Sequence, residues 1–530
     1  MRIAVTRRVL LHTASPMQKT TPPLASRYLF KLIANLASVP VYLIMEALLP
    51  RALGPAMYGN YSFATTVFLQ MTGFLDMGTS TCFYNALSRR QQEFSLIAFY
   101  LRVSLLIMAV TMLVACGLLY EPVGSLFLPQ VPLWLAPLAA FCAFLTWFGR
   151  VLRSMNDATG ATIQSELWRT AVSLICVGLL VVLFLSGLLN IITLFLQQYL
   201  MLTATAVGFW YVTWRTCRVH GISQSFRLAP IQLRAYLREF FTYSHPLFVQ
   251  SLLSFLMLSL ERWLLQWFNG SSEQGYFALS QKVSMACFLF VSAMTPLIMR
   301  ELSIAWGSRD TDSMGRLINR FAPLLYIIAA YFSCFTLVEA KALVGLFGGS
   351  AFVEAIVPVQ IMALYPLHQA YGQLASSVFH ATGRTRVLRN MTALECLYGF
   401  LLTWLLLAPS DLWGLGQGAT GLAIKTVAVQ FITVNCYLWL ASRFIPLHFW
   451  RNLAHQILSL SILLAIAFAA REVTLIFPHG ESFTLLRFLA SGLLYSLMTL
   501  LLCLGFPQLM GMQRQDLKNI LGRFLQTRHS

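Results

Sequence analysis

Ionisable side chains within strongly apolar stretches are the residues of this chain whose chemistry is most informative. Lys282 and Lys425 lie well inside apolar runs, and Arg51 and Arg262 lie near the ends of two others. A charge at the centre of a membrane-spanning helix costs roughly 2.5–3.5 kcal/mol on insertion scales, so such groups usually face a cavity. Cations in a cavity favour an anionic ligand, and Arg and Lys suit phosphate or diphosphate. These four residues are the predicted substrate-binding set.

Three acidic residues are candidates for a gate or for ion coupling. Glu46 precedes the end of the first apolar run, Glu261 is adjacent to Arg262, and Asp76 lies in the second run. An ordinary interfacial position, with the charged group at the headgroups, explains Glu46, Arg51, Glu261 and Arg262 equally well. Both interpretations stay open at this stage.

The composition shows what these residues are embedded in. Of 530 residues, 58% are hydrophobic and only 11% are charged, whereas a soluble domain carries roughly 25% charged residues. Runs of about 20 apolar residues, enough to cross a bilayer, recur along the chain. The sequence therefore predicts an all-α polytopic membrane protein.

Motifs for other chemistry are absent from the sequence. The ten cysteines form no CxxC pair and have no histidine spacing typical of a metal site. No P-loop, HExxH or GxSxG motif occurs. We therefore predict no cofactor, no metal and no enzymatic activity, and ATP-driven transport is not supported.

The apolar runs predict about fourteen membrane-spanning helices. Their approximate bounds are 28–49, 61–87, 98–119, 133–151, 168–188, 191–213, 244–267, 276–299, 321–339, 354–380, 391–409, 418–441, 456–476 and 485–506.

An internal repeat organises these helices. The pattern of residues 54–61 recurs in outline at 270–277, and the Ala-Thr-Gly pattern of 158–162 recurs at 381–385. Two matches in the same order at nearly one spacing indicate a duplication. The copies are six helices apart and so cross the membrane in the same sense, which is the parallel kind of repeat. Glu46 and Arg262 occupy equivalent positions, which makes them a candidate latch at an outer gate.

The basic residues predict the orientation. The net charge is +18, and most of the 37 Lys and Arg residues fall in alternate loops and at both termini, as cytoplasmic loops require. Both termini are therefore predicted to be cytoplasmic. The charge reflects topology and contact with membrane lipid, and a nucleic-acid partner is excluded.

The predicted domains follow from the repeat and the charges. Residues 228–241 are expected to form a basic amphipathic helix on the membrane surface. The predicted segments are a basic cytoplasmic tail (1–27), an N-lobe with helices 1–6 (28–213), a cytoplasmic linker (214–243), a C-lobe with helices 7–12 (244–441), and two further helices with a cytoplasmic tail (442–530).

Several motifs resemble those of one transporter family. Residues 52–62, ALGPAMYGNYS, followed by FLDMG at 74–78, are similar to the start of a polysaccharide-type flippase. GYFA at 275–278 with Lys282, and ATGRT at 381–385, are similar to that family's helix 8 and its loop after helix 10. The chain thus resembles the O-antigen and lipid-linked oligosaccharide flippases of the multidrug/oligosaccharidyl-lipid/polysaccharide exporter superfamily.

The resemblance implies more than the residues do. It implies a MATE-like fold, with two pseudo-symmetric six-helix lobes around a central cationic cavity and two extra helices. It implies alternating-access transport of a polyprenyl-diphosphate-linked oligosaccharide from the inner to the outer leaflet of a bacterial inner membrane. This activity would serve lipopolysaccharide or other polysaccharide biosynthesis, with polymerase and assembly proteins as partners.

Three alternatives stay open. A drug/cation antiporter of the same superfamily would use deep acids such as Asp76 to bind Na⁺ or H⁺. A peptidoglycan-precursor flippase also has fourteen helices. An integral-membrane glycan polymerase or ligase would be an enzyme, and the short loops predicted on the outer side argue against it.

Overall fold

A computed structural model describes residues 24–510, apart from 92, 220, 222–225, 227, 246–247, 293–294 and 477–480. Within this part of the chain, the regular elements are all helices. In chain order they are α1 (Leu24–Asp76), α2 (Thr79–Arg89), α3 (Phe94–Gly117), α4 (Glu121–Phe127), α5 (Leu135–Thr159), α6 (Thr162–Leu185), α7 (Ile191–Val219), α8 (Pro230–Ser244), α9 (Phe248–Ser292), α10 (Thr295–Gly307), α11 (Thr311–Val338), α12 (Ala340–Phe347), α13 (Ile356–Met362), α14 (Tyr365–Ala381), α15 (Thr385–Leu407), α16 (Gly418–Ala441), α17 (Phe449–Thr474) and α18 (Glu481–Gly505). Short 3₁₀ turns occupy Ser350–Ala355, Ser410–Leu412 and Pro507–Met510.

The chain divides into two compact units. The first comprises the chain up to Leu48 together with Asn60–Trp263, and the second comprises Leu49–Gly59 together with the chain from Leu264 onward. A short piece of the first repeat therefore packs within the second unit. The predicted lobes, 28–213 and 244–441, were drawn from the repeat and stay a prediction.

Each unit has its own core of packed helices. In the first unit, α5 packs against α7 and α3. Ala136, Ala139 and Ala140 of α5 are fully buried, and small residues of this kind let helices approach closely. In the second unit, α16 packs against α13, α14 and α15, and α11 packs against α14 and α17. This second arrangement fixes the helix that carries Lys425.

Two predicted loops are single-residue kinks. The loops expected between helices 1 and 2 and between helices 7 and 8 are replaced by kinks at Gly54 (φ 69°, ψ 171°) in α1 and at Gly270 (φ 90°, ψ 178°) in α9. This region of positive φ with ψ near 180° is essentially restricted to glycine. The two copies therefore break their helices at equivalent residues and in the same conformation, as a duplication requires.

The second repeated motif also has one structure in both copies. Gly160 (φ 84°) and Gly383 (φ 68°) are in the left-handed conformation just beyond the ends of α5 and α14. In each copy the amide after the glycine donates to the carbonyl five residues earlier, at 2.9 Å, and the preceding threonine hydroxyl donates to the carbonyl four residues earlier. This pattern is a Schellman cap. The Ala-Thr-Gly repeat is thus a repeated helix stop.

Ten stretches in the described part of the chain are long and apolar enough to cross a membrane, which makes this a multi-pass membrane protein. They are Phe94–Gly117, Leu135–Thr159, Thr162–Leu185, Ile191–Val219, Thr311–Val338, Ser350–Ala381, Arg386–Leu407, Gly418–Ala441, Phe449–Thr474 and Thr484–Gly505. The other four predicted spans, 28–49, 61–87, 244–267 and 276–299, overlap mainly with the two arms of α1 and of α9. The count of fourteen stays a prediction.

Two predicted helices are interrupted. Predicted helix 2 (61–87) stops at Asp76 and restarts at Thr79, because Met77 and Gly78 have positive φ (44° and 76°). Predicted helix 10 (354–380) is broken between α13 and α14, where Pro366 stands in the first turn of α14. Proline is well tolerated there because the first amides of a helix lack intrahelical partners.

The predicted amphipathic helix at 228–241 is α8. Its inner face packs against the first unit through Tyr236 and Phe240, and Glu239 accepts a hydrogen bond from Arg90 at 2.8 Å. Its outer face exposes Ile231 and Phe241. The helix is confirmed, and its place on a membrane surface stays a prediction.

Candidate functional site

Lys425 is a buried cation in the second unit. Its side chain is only 4% exposed, on a helix enclosed by α13, α14 and α15. Because burying an ammonium group away from water is costly, its presence here calls for a functional or structural interaction. The structure therefore places Lys425 among packed helices, and the predicted cavity around it stays a prediction.

Lys282 lies on the second arm of α9, in the same unit, and is half-buried. This arm contacts the start of α16, where Glu273 Oε2 accepts a hydrogen bond from the Ala419 amide at 2.7 Å. Lys282 is nine residues beyond Glu273 and Lys425 is six beyond Ala419, so at 1.5 Å per residue they lie about 14 and about 9 Å from this contact. Predicted spans 8 and 12 run in the same sense. The predicted sense of these spans puts the two lysines at similar depths, which stays a prediction.

Glu273 is a residue that the sequence analysis missed. Its carboxylate satisfies a first-turn amide of α16 and interacts favourably with the positive end of that helix. Gly418 (φ 52°) allows this approach, because a Cβ at that position would overlap the Glu273 carboxylate. The one signal in the sequence was a difference between the two copies of the repeat: Glu273 is charged, whereas the equivalent residue in the first copy is Met57. Glu273 ties the helix that carries Lys282 to the one that carries Lys425.

Arg51 is exposed and belongs to the second unit. Its guanidinium Nη2 donates to the Gly345 carbonyl at 2.7 Å. That carbonyl lies in the last turn of α12, where carbonyls lack intrahelical partners and cations are favourable. Arg51 thus ties α1 to α12, and a substrate-binding role for it stays a proposal.

Glu46, Glu261 and Arg262 belong to the first unit. Glu46 and Arg262 are buried, and Glu261 is half-buried. Glu46 lies within electrostatic range of the Tyr42 and Tyr61 hydroxyls. Burial disfavours the interpretation of Glu46 and Arg262 as freely solvated interfacial charges. The latch between them stays a prediction.

Asp76 caps a helix. It is buried between α1 and α2, and its carboxylate accepts four hydrogen bonds: from the Thr79 hydroxyl (2.8 Å), the Ser80 amide (2.9 Å), the Ser80 hydroxyl (2.6 Å) and the Tyr100 hydroxyl (3.1 Å). These bonds hold the first turn of α2, whose amides need partners. The geometry gives Asp76 a structural role that the sequence did not predict.

Substitution of Asp76 separates this structural role from ion coupling. Asp76→Asn preserves a good helix cap, so we expect thermal unfolding in detergent close to wild type and retained transport. Asp76→Ala removes the cap and is expected to lower the free energy of unfolding by about 1–2 kcal/mol. Asp411→Ala, at an exposed carboxylate, is the control. A stable Asp76→Asn protein that has lost gradient-driven transport would show instead that Asp76 couples transport to ions.

A buried ionic cluster in the first unit also escaped the sequence analysis. Glu166 is 0% exposed and bridges Arg153 at 2.6 Å and Arg169 at 2.9 Å. Predicted helix 5 began at residue 168, but α6 begins at Thr162, so Glu166 lies inside the helix. The cluster joins α5 to α6 at the repeated Ala-Thr-Gly turn.

A metal centre is not seen in the described part of the chain, which holds no group of three or more His, Cys, Asp or Glu side chains suited to an ion. A substrate-binding role for Lys282 and Lys425 stays a prediction.

The fold matches solved membrane transporters. The lipid II flippase MurJ, in an inward closed conformation, aligns with a TM-score of 0.64 and 14% identity over 91% of this chain and 99% of MurJ. An inward-facing multidrug resistance MATE family transporter of the MOP superfamily aligns with a TM-score of 0.55 and 14% identity, over 78% and 95% of the two chains. An outward-facing multidrug resistance MATE family transporter aligns with a TM-score of 0.51 and 15% identity, over 82% of this chain and 98% of the transporter. The protein therefore has the fold of the MOP-superfamily transporters, which confirms the predicted fold class.

The sequence identifies the family within that class. Residues 26–298, slightly more than half of the chain, match the family of polysaccharide biosynthesis proteins, and the chain belongs to this family. No curated protein matches the chain. The resemblance drawn from residues 52–62 and 74–78 is confirmed.

Proposed function

We propose that this protein is a flippase that moves a polyprenyl-diphosphate-linked oligosaccharide from the inner to the outer leaflet by alternating access. The bacterial inner membrane, with both termini cytoplasmic, is the proposed location. Polysaccharide polymerase and assembly proteins are the proposed partners.

The observation that carries the proposal is the pair of lysines in the second unit. Lys425 is almost fully buried, and Lys282 lies on the arm of α9 that is tied to the helix carrying Lys425. A diphosphate is an anionic ligand that ammonium groups bind well. Membership in a polysaccharide biosynthesis family supports a sugar as the rest of the substrate.

A peptidoglycan-precursor flippase is the second candidate. The similarity to the lipid II flippase MurJ, over 91% of this chain, favours it. Lys282 and Lys425 fit it equally well, because the proposed diphosphate is common to both substrates. The third candidate, a drug/cation antiporter, needs an acid free to bind an ion, and the Asp76 carboxylate is occupied by four hydrogen bonds.

Reconstitution into liposomes tests the proposal. A fluorescent polyprenyl-diphosphate oligosaccharide, a fluorescent peptidoglycan precursor and a cationic dye would each be followed by loss of accessibility to a membrane-impermeant quencher. We expect protein-dependent movement of the oligosaccharide lipid, with protein-free liposomes as the control. Movement of the precursor alone would favour the second candidate. Movement of the dye alone, driven by a Na⁺ or H⁺ gradient, would refute the proposal.

A further inference from the structure

The two copies of the repeated segment touch each other inside the second unit. We call residues 55–59 and 271–275 the seam. A Cβ on Gly59 would overlap the Ser271 carbonyl oxygen, and a Cβ on Gly275 would overlap the Pro55 carbonyl oxygen. Pro55 is equivalent to Ser271 in the repeat, and Gly59 to Gly275. The contacts are therefore reciprocal, as in an isologous interface.

Because Gly59 and Gly275 have no side chains, the two backbones of the seam lie close together and no side chains interdigitate at these two positions. Backbone lies against backbone, since the Gly59 Cβ position is also 2.8 Å from the Gly275 amide nitrogen. Small residues at such contacts let helices approach without interdigitating side chains. Each segment also begins directly after a kink, at Gly54 or Gly270. At Gly59 and Gly275 themselves, pivoting at the kinks can part the two backbones without withdrawing a side chain.

One aromatic ring packs against the first segment and against Tyr276, the residue that follows the second segment. Phe352, fully buried in the 3₁₀ turn Ser350–Ala355, makes edge contacts with Tyr58 at 6.0 Å and Tyr276 at 5.8 Å between ring centroids. Such edge-to-face pairs are favourable. Phe352 therefore stabilises the closed seam from one side.

A buried amide opposes this closure. Gln274 is 0% exposed, and within the described part of the chain neither its Oε1 nor its Nε2 has a hydrogen-bond partner. A buried polar group without a partner favours any state in which water can reach it. Tyr58 is the equivalent residue in the first copy, so this penalty applies to the second copy alone.

We propose that the seam is a separable closure that opens during transport, and that the Gln274 amide keeps its closed form only marginally stable. This inference rests on the proposed transport function. Opening exposes Gln274 to water and releases Phe352 from at least one tyrosine. Closing restores the glycine contact.

Thiol labelling tests the inference on the whole protein. The reporter is Ala278→Cys, introduced after replacement of the native cysteines. Ala278 is buried and lies three residues after Gly275, on the same side of the helix. The rate of labelling by a membrane-impermeant maleimide measures opening. Ser272→Cys, at an exposed position, reports the reagent's access to the protein surface.

Two substitutions are expected to change the labelling rate in opposite directions, and a third is the control. Gly59→Ala should raise the Ala278→Cys labelling rate by about tenfold, because the new methyl forces the segments apart. Gly73→Ala, in the same helix with no atom within 4 Å of its Cβ, should leave the rate unchanged. Gln274→Met should lower the rate by about tenfold, since it removes the unpartnered amide at similar volume.

The outcomes decide between the two proposals. Equal labelling in the Gly59→Ala and Gly73→Ala proteins, or an unchanged rate in Gln274→Met, would overturn the seam inference. If the Gly59→Ala protein does not fold, the labelling rate of the Gln274→Met protein still tests the inference. Labelling that responds as expected, in a protein that moves no lipid-linked substrate, would uphold the seam and refute the flippase proposal.

Discussion

Replacing Lys425 with Ala is expected to reduce translocation of the oligosaccharide lipid by roughly 30-fold or more. Removing one member of a desolvated charge pair typically costs about 2–5 kcal/mol, and 1.4 kcal/mol is tenfold. Lys282→Ala should have a smaller effect, because this side chain is half-buried and more accessible to water. Lys425→Arg keeps the charge and should retain more activity than Lys425→Ala. The measurement is the initial rate of translocation in liposomes.

Lys341→Ala is the matched control for the lysine substitutions. Lys341 is exposed on α12, in the same unit, and should tolerate loss of its charge. Thermal unfolding in detergent shows whether each variant is folded. Wild-type translocation by a folded Lys425→Ala protein would remove Lys425 from the substrate-binding set. Equal losses in the Lys341 and Lys425 variants would indicate a nonspecific effect of net charge.

Glu166→Ala is expected to give the largest loss of stability, about 3 kcal/mol in the free energy of unfolding. The substitution leaves Arg153 and Arg169 adjacent at the end of α5 and the start of α6, without the carboxylate that both contact. Breaking a buried ion pair by removing one partner typically costs 3–5 kcal/mol, and the partial exposure of both arginines places this pair at the lower end. Thermal or denaturant unfolding of the purified protein measures the loss.

Glu121→Ala is the control for this substitution, since Glu121 is an exposed acid of the same unit. It should change stability by less than about 0.5 kcal/mol. Glu166→Gln should fall between Glu166→Ala and wild type, because its amide can still accept one hydrogen bond. A Glu166→Ala protein as stable as the control would show that the cluster makes no net contribution.

The sequence predicted features that recur in it or that composition determines. The apolar runs located most of the membrane helices, and bounds 418–441 agree with α16. The repeat identified Gly54 and Gly270, although as loops, because no pattern in a single sequence shows that one glycine can kink a continuous helix. Lys425 was singled out as a cation deep in a predicted span because charge is rare in such runs, and its exposure to a cavity stays a prediction.

The missed features depend on contacts between distant residues. The Glu273 hydrogen bond to the Ala419 amide and the Arg51 hydrogen bond to the Gly345 carbonyl each join segments far apart in the chain. Helical periodicity reports which face of a helix is apolar, and says nothing about its partner. The sequence predicts a gate or coupling role for Asp76 and not its capping role, because that role depends on the break at Met77 and Gly78, which lies within an apolar run.

Leu49–Gly59 comes from the first repeat but packs in the second unit. This placement limits where the chains of two family members can be joined to make a chimaera. A crossover in the 214–243 linker looks like the natural place to join two parents, since it falls between the repeats. It nevertheless combines residues 55–59 of one parent with residues 271–275 of the other, and these pack backbone to backbone. Only parents that both carry glycine at the positions of Gly59 and Gly275 provide surfaces that fit.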